Sequence, residues 1–186
     1  LMGPGDVGPY YAAVRMAGFA LFAQSAANVV LAPMIAERFD ARDMGGLQLV
    51  ATRAARFAFA GALAVSMGFG VAGNWLLGLF GPGFDAAYVP LLVLLCGYCV
   101  STSMGEVGFM LSMTRFQRRA SMLVLVGVVA NAAVAWLLVP SFGATGAAIG
   151  AVASLLVWRA LAWRTVRRRL GIDPSIFGVP GKQLSR

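Results

Sequence analysis

Five apolar stretches dominate this chain, each close to the roughly 20 residues a helix needs to cross a hydrocarbon core. They run from about Tyr10 to Ile35, from Phe57 to Phe80 with an amphipathic lead-in from Leu47, from Tyr88 to Met113, from Ala120 to Val139, and from Gly146 to Trp163. Apolar residues make up 60% of the chain and charged residues 12%, against about 45–50% and about 25% in a soluble domain. That is too little charge to coat a water-soluble core of 186 residues. In lipid every backbone N–H and C=O must be satisfied within the protein, which makes helices the default. The expectation is an all-α, polytopic membrane helix bundle of about five transmembrane helices. Residues 1–9 read as an extracytoplasmic lead-in and 10–170 as the bundle. Residues 171–186, with Asp173-Pro174, Gly178, Pro180 and Gly181, read as a flexible cytoplasmic tail.

The connections sort by charge. The first, with its amphipathic extension, carries Arg38, Arg42, Arg53 and Arg56; the third carries Arg115, Arg118 and Arg119. The tail carries Arg164, Arg167, Arg168, Arg169, Lys182 and Arg186. The second connection, at Gly81-Pro82-Gly83, and the fourth, at Pro140-Ser141-Phe142-Gly143, carry no basic residue. Basic and empty connections alternate, as five spans require, and the positive-inside rule puts the C-terminus in the cytoplasm. The N-terminus then starts outside with no leader to carry it there, so one or more upstream helices are expected. Apart from Arg15 and Arg159, the basic residues behind the net charge of +8 are confined to these short segments. No basic face interleaved with stacking aromatics appears, so nucleic acid is not an expected partner.

Two familiar motifs carry little here. Cys96-Gly97-Tyr98-Cys99 lies inside the third apolar stretch, where burial keeps thiols inert. Gly68, Gly70 and Gly73 match a dinucleotide fingerprint but lack the flanking strand, and read as helix packing. Gly146, Gly150 and Ser154 read the same way. There is no histidine, no nucleophile–base pair and no metal-ligand cluster. An enzyme, a metal and a cofactor are therefore not expected.

Charges at membrane depth are costly and mark pathways. Glu106 lies some seven residues inside the Arg-rich end of its stretch, about 10 Å deep at 1.5 Å per residue, too deep for a short carboxylate to snorkel. On one continuous helix Thr102, Ser103, Met110 and Met113 share its face, a polar stripe suited to a cavity. Arg15, one turn after Tyr11 near the outer end of the first stretch, either faces a cavity and meets a phosphate or snorkels outward. Arg159, the third pathway candidate beside Arg15 and Glu106, is five residues from Arg164 and within snorkelling reach of the cytoplasmic surface. Gln24 and Asn28 share a face with each other but not with Arg15. Trp136, Trp158 and Trp163 read as interface anchors.

Three segments together resemble the oligosaccharide flippases, the polysaccharide-biosynthesis branch of the exporter superfamily that also holds multidrug antiporters and the lipid II flippase. Val7-Gly8-Pro9-Tyr10-Tyr11-Ala12-Ala13-Val14-Arg15 resembles their VGxYxxAxR helix start. Leu79-Phe80-Gly81, then Phe84 and Ala86, resembles LFGxxYxxA. Asn131, then Leu137-Leu138-Val139-Pro140-Ser141-Phe142-Gly143-Ala144-Thr145-Gly146-Ala147-Ala148-Ile149, resembles N…LLIPxxGxxGAAIA. Phe84 departs from the usual Tyr, and Met113-Thr114-Arg115 departs from Met-Thr-Gly. The resemblance implies the last five helices of a two-bundle fold in a bacterial cytoplasmic membrane, with an N-terminal bundle as partner. It implies an undecaprenyl-diphosphate-linked oligosaccharide as cargo, moved by alternating access, with membrane lipids as surroundings. Arg15 is then a phosphate candidate, and Glu106 an ion-coupling or gating candidate. A multidrug cation antiporter and a non-transporting scaffold are the competing expectations.

Overall fold

The computed structural model describes residues 4–113 and 116–179. Arg115, Lys182 and Arg186 lie outside the described residues, as do Leu1 and the last part of the expected tail. Six helices follow in order: α1 (Pro4–Gly18), α2 (Phe22–Asp40), α3 (Met44–Gly78), α4 (Tyr88–Ser103), α5 (Val107–Met113) and α6 (Gln117–Leu170). A 3-10 turn, Phe19–Leu21, joins α1 to α2, and a second, Phe84–Ala87, leads into α4. No strand occurs among the described residues. Stretches Val7–Asp40, Met44–Gly78, Phe84–Ser103 and Gln117–Leu170 are long and apolar enough to cross a membrane. The exterior carries large apolar side chains such as Val71, Phe22 and Trp136, each more than two-thirds exposed. The chain is an all-α multi-pass membrane protein.

The 54 residues of α6 would reach roughly 80 Å if straight, far more than a bilayer's ~30 Å of hydrocarbon. They do not run straight. Gly143, at φ 52 and ψ −127, leaves helical geometry and turns the chain back on itself. Only glycine occupies that region without strain. The two arms, 117–142 and 144–170, lie antiparallel, and the contacts step down one arm as they step up the other. Gly146 abuts the Leu138 backbone, Gly150 meets Asn131 and Ala135, and Gly127 meets Ser154 and Trp158. The expected fourth and fifth helices are these two arms. The small residues at Gly146 and Gly150 let them approach closely, which is what holds helices together where lipid removes the hydrophobic drive. In the Gly68, Gly70 and Gly73 set, only Gly73 packs tightly, against Leu91 and Tyr88; Gly68 and Gly70 have open space where a Cβ would stand.

Two buried clusters hold the bundle, one toward each end. The first joins Ala13 and Ala17 of α1, Ala62 and Leu77 of α3, Leu91 and Leu94 of α4 and Ala148 of α6. The second joins Leu31 and Ile35 of α2, Leu47 of α3, Val107 and Leu111 of α5, and Ala162 and Val166 of α6. Phe39, Phe116 and Leu170, one from each of the three Arg-bearing segments, pack on the second cluster, so those segments gather at one end. At that end Asp43 caps α3: its carboxylate accepts the Gly46 N–H at 2.8 Å and pairs with Arg38 at 2.7 Å. The Gly46 N–H, then the Arg38 guanidinium, hold the Asp43 carboxyl below the usual carboxylate range.

Two expectations are corrected. The third stretch is not one helix from Tyr88 to Met113; it breaks at Met104-Gly105-Glu106, with Gly105 at φ 77. Nor is the segment after α6 a free tail as far as Val179. Ile172 is buried in the second cluster, and Asp173 and Ile176 hydrogen-bond back to α3, α4 and α6.

Candidate functional site

The break between α4 and α5 builds the most polar buried locus in the bundle. A helix that stops inside a packed bundle leaves carbonyls unpaired, and each must find a donor. Arg159 supplies two of them. Its Nη1 donates to Ser101 O at 3.1 Å and Gly105 O at 2.9 Å. Arg159 is 7% exposed and Glu106, beside the break, is 6% exposed. Arg159 therefore does not snorkel to the surface; the break draws it inward. Its guanidinium also stands 5.5 Å from the Trp158 ring centroid.

Glu106 is the opposite charge that acts on Arg159, yet no direct ion pair joins them among the described residues. The side chains of Gln24 and Asn28, from α2, reach the Glu106 carboxylate instead. Among the described residues four buried side-chain polar atoms have no protein partner: Gln24 Oε1, Asn28 Oδ1, Ser101 Oγ and Arg159 Nε. Buried polar groups are nearly always paired, so a cluster of exceptions marks a place that receives water or something polar. Gln24, Asn28 and Arg159, with Glu106, line a groove of about 450 Å³ that Ser121 and Trp158 complete, between α2, α5 and the two arms of α6.

The other candidates fall elsewhere. The kink at Gly105 dissolves the face expected to carry Thr102, Ser103 and Glu106. Thr102 Oγ1 donates to Tyr98 O and Cys99 O on its own helix, and Ser103 Oγ donates to Val100 O. Neither lines the groove. Met110 is core, and Met113 is exposed. Arg15 is exposed on α1, where its Nε donates to Tyr11 Oη at 2.7 Å and its guanidinium stacks 4.8 Å from that ring. It does not line the groove. The cysteines are free; Cys96 is exposed, and Cys99 Sγ donates to Ser66 Oγ at 3.2 Å.

Most groove residues, Gln24, Asn28 and Trp158 among them, escaped the reading of the sequence as site members. Gln24 and Asn28, one turn apart on α2, carried the right signal in their spacing, but nothing local links α2 to residue 106. Trp158 looked like an interface anchor; it packs instead against Gly108 and Gly127 and forms a groove wall. Among the described residues no cluster of His, Cys, Asp or Glu fit for a metal ion occurs. Comparison with known protein families, curated proteins and solved structures finds no match to this chain.

Proposed function

We propose that the chain is the C-terminal helical portion of a flippase that moves an undecaprenyl-diphosphate-linked oligosaccharide across a bacterial cytoplasmic membrane by alternating access. One observation carries the reading. A helix broken inside the bundle places a carboxylate, a guanidinium and two amides on one groove. Within a membrane protein, non-helical backbone is tolerated where it is buried or lines a polar cavity, and transporters build their sites there. The three sequence segments that resemble oligosaccharide flippases choose the cargo. The Arg-rich end is the cytoplasmic end in this reading, and Glu106 and Arg159 lie on the path.

Amide, carboxylate and guanidinium groups beside an indole suit a hydroxyl-rich ligand. The amides and charged groups bond to hydroxyls, and the ring offers an apolar face. Glu106 and Arg159, held apart, present both signs to the groove without quenching each other. The rocking of this bundle against an opposing one would open the groove to each side in turn.

Deleting the gene in cells that make the protein tests the reading. The expected result is loss of surface polysaccharide, accumulation of lipid-linked oligosaccharide on the cytoplasmic leaflet, and unchanged drug sensitivity. Glu106, the single carboxylate in the groove, is the feature that favours a multidrug cation antiporter. That second reading predicts the reverse: normal surface glycan and increased sensitivity to cationic drugs.

A further inference from the structure

We propose that residues 171–179 form a latch that holds the α4–α5 helix broken and so keeps Glu106 on the groove. The inference concerns the conformation of this chain and stands whatever the cargo is.

The latch is densely tied. The Gln48 side chain forms a two-bond pair with the Asp173 backbone: its Nε2 donates to Asp173 O, and the Asp173 N–H donates to Gln48 Oε1 at 2.6 Å. The Asp173 carboxylate accepts Trp163 Nε1 at 3.0 Å and the Ser175 N–H at 3.1 Å, with Arg167 Nε at 3.8 Å. Arg56 Nε donates to Ile176 O at 3.0 Å. The segment thus clamps α3 to the end of α6. Ile172 and Ser175 are buried beneath it.

Its inner edge meets the break itself. The Ile176 N–H donates to Ser103 O at 3.0 Å. Pro174 O lies where a Cβ on Gly105 would stand, so only glycine fits, and only glycine adopts φ 77 there readily. Three carbonyls at the break accept from the end of the chain: Ser101 from Arg159 beside its local bond from the Met104 N–H, Gly105 from Arg159, and Ser103 from Ile176. In an uninterrupted α-helix these same carbonyls would accept from residues 105, 109 and 107, by the i to i−4 rule. The competition is one bond for one bond. The apolar run from Tyr88 to Met113 has the composition of a continuous helix, and Gly105 can take helical dihedrals as readily as its present ones. The latch, with Arg159, decides between the two forms. Straightening would return residues 105–107 to helical geometry and rotate Glu106 off its present position beside Gln24 and Asn28.

The test uses the full chain in nanodiscs, with Cys96→Ala and Cys99→Ser removing the native thiols. Latch opening is read by the rate at which Ser175→Cys reacts with a water-soluble maleimide. Helix geometry is read in a second variant by the spin-label distance between Val100→Cys and Met113→Cys, both exposed positions. With the latch intact, the expected results are slow labelling and a single distance shorter than the ~20 Å between these Cα atoms in a continuous helix. Adding Gln48→Ala should speed labelling at least tenfold and bring in a second population near the straight-helix distance. Asp173→Ala, which breaks the latch through different bonds, should do the same, and serves if Gln48→Ala does not fold. Faster labelling with an unchanged distance distribution would overturn the proposal. So would fast labelling of Ser175→Cys with the latch intact.

Discussion

Arg159→Leu is expected to destabilise the bundle by about 3–5 kcal/mol, the cost of leaving a buried charge and its hydrogen-bond partners uncompensated. Leucine matches the membrane in polarity, so on hydropathy alone the change should help. The structure reverses that expectation. Arg159 donates to Ser101 O and Gly105 O, and is the opposite charge acting on Glu106 among the described residues. Without it Gly105 O loses its donor, at about 1–3 kcal/mol for a buried group left unsatisfied, Ser101 O keeps only the Met104 N–H, and a carboxylate loses its counter-charge. Arg159→Lys should recover part of the loss, since a single ammonium keeps the charge but not the planar fork. Pairing Arg159→Leu with Glu106→Gln should cost less than the two changes summed, because the residues share one network. Denaturant or thermal unfolding in detergent measures all four. A loss below ~1 kcal/mol for Arg159→Leu would mean that the break does not depend on the guanidinium.

Gly146→Leu is expected to splay the two arms of α6, at about 1–3 kcal/mol or more, as overpacking of a close contact does. The obstacle is backbone: a Cβ at 146 runs into the Leu138 carbonyl and the Val139 nitrogen, which cannot rotate away as a side chain can. The helix-on-helix contact is the main support for the hairpin, because lipid tails are as apolar as the arms they surround. Gly68→Leu is the matched control. It adds the same atoms to the same kind of apolar helix, but with nothing within 4 Å of the new Cβ, and should change stability little. Disulfide trapping between cysteines placed at Asn131 and Gly150 reads the arm separation directly. Efficient trapping in the Gly146→Leu background would contradict the prediction.

These two residues also illustrate what the sequence made legible. The span count was readable because it rests on length and charge, both local: five apolar runs, and basic connections at every other turn. The hairpin was readable because Gly143, Gly146 and Gly150 follow a proline, the sequence signs of a turn and of a close helix contact. The break at Gly105 was not. A lone glycine in an apolar run is usually tolerated in a helix, and what breaks this one is the supply of donors from residues 159 and 176, more than fifty positions away. Arg159 was misread for a related reason. Its distance from the surface permits snorkelling, and only the unpaired carbonyls of another helix draw it inward. The segment 171–179 has a loop's composition, and its order comes from Gln48, Arg56 and Trp163, none of which is near it in the chain except the last. The polar stripe from Thr102 to Glu106 failed because it assumed the continuous helix that the break denies.

The site was therefore half legible. Glu106 stood out because a carboxylate at that depth has no cheap explanation. Its neighbours Gln24 and Asn28 are ordinary amides whose role depends on how α2 is turned, and rotation is set by packing rather than by the helix's own sequence.

The central claim is that the Glu106 groove is the path of a lipid-linked oligosaccharide, and one measurement addresses it most directly. The complete protein and its Glu106→Gln variant are reconstituted in proteoliposomes, and translocation of a lipid-linked oligosaccharide between leaflets is followed. Glutamine keeps the shape and the hydrogen-bonding reach of the side chain and removes the charge. The account predicts a variant that inserts and folds normally but translocates at least tenfold more slowly. Translocation at the wild-type rate would contradict it.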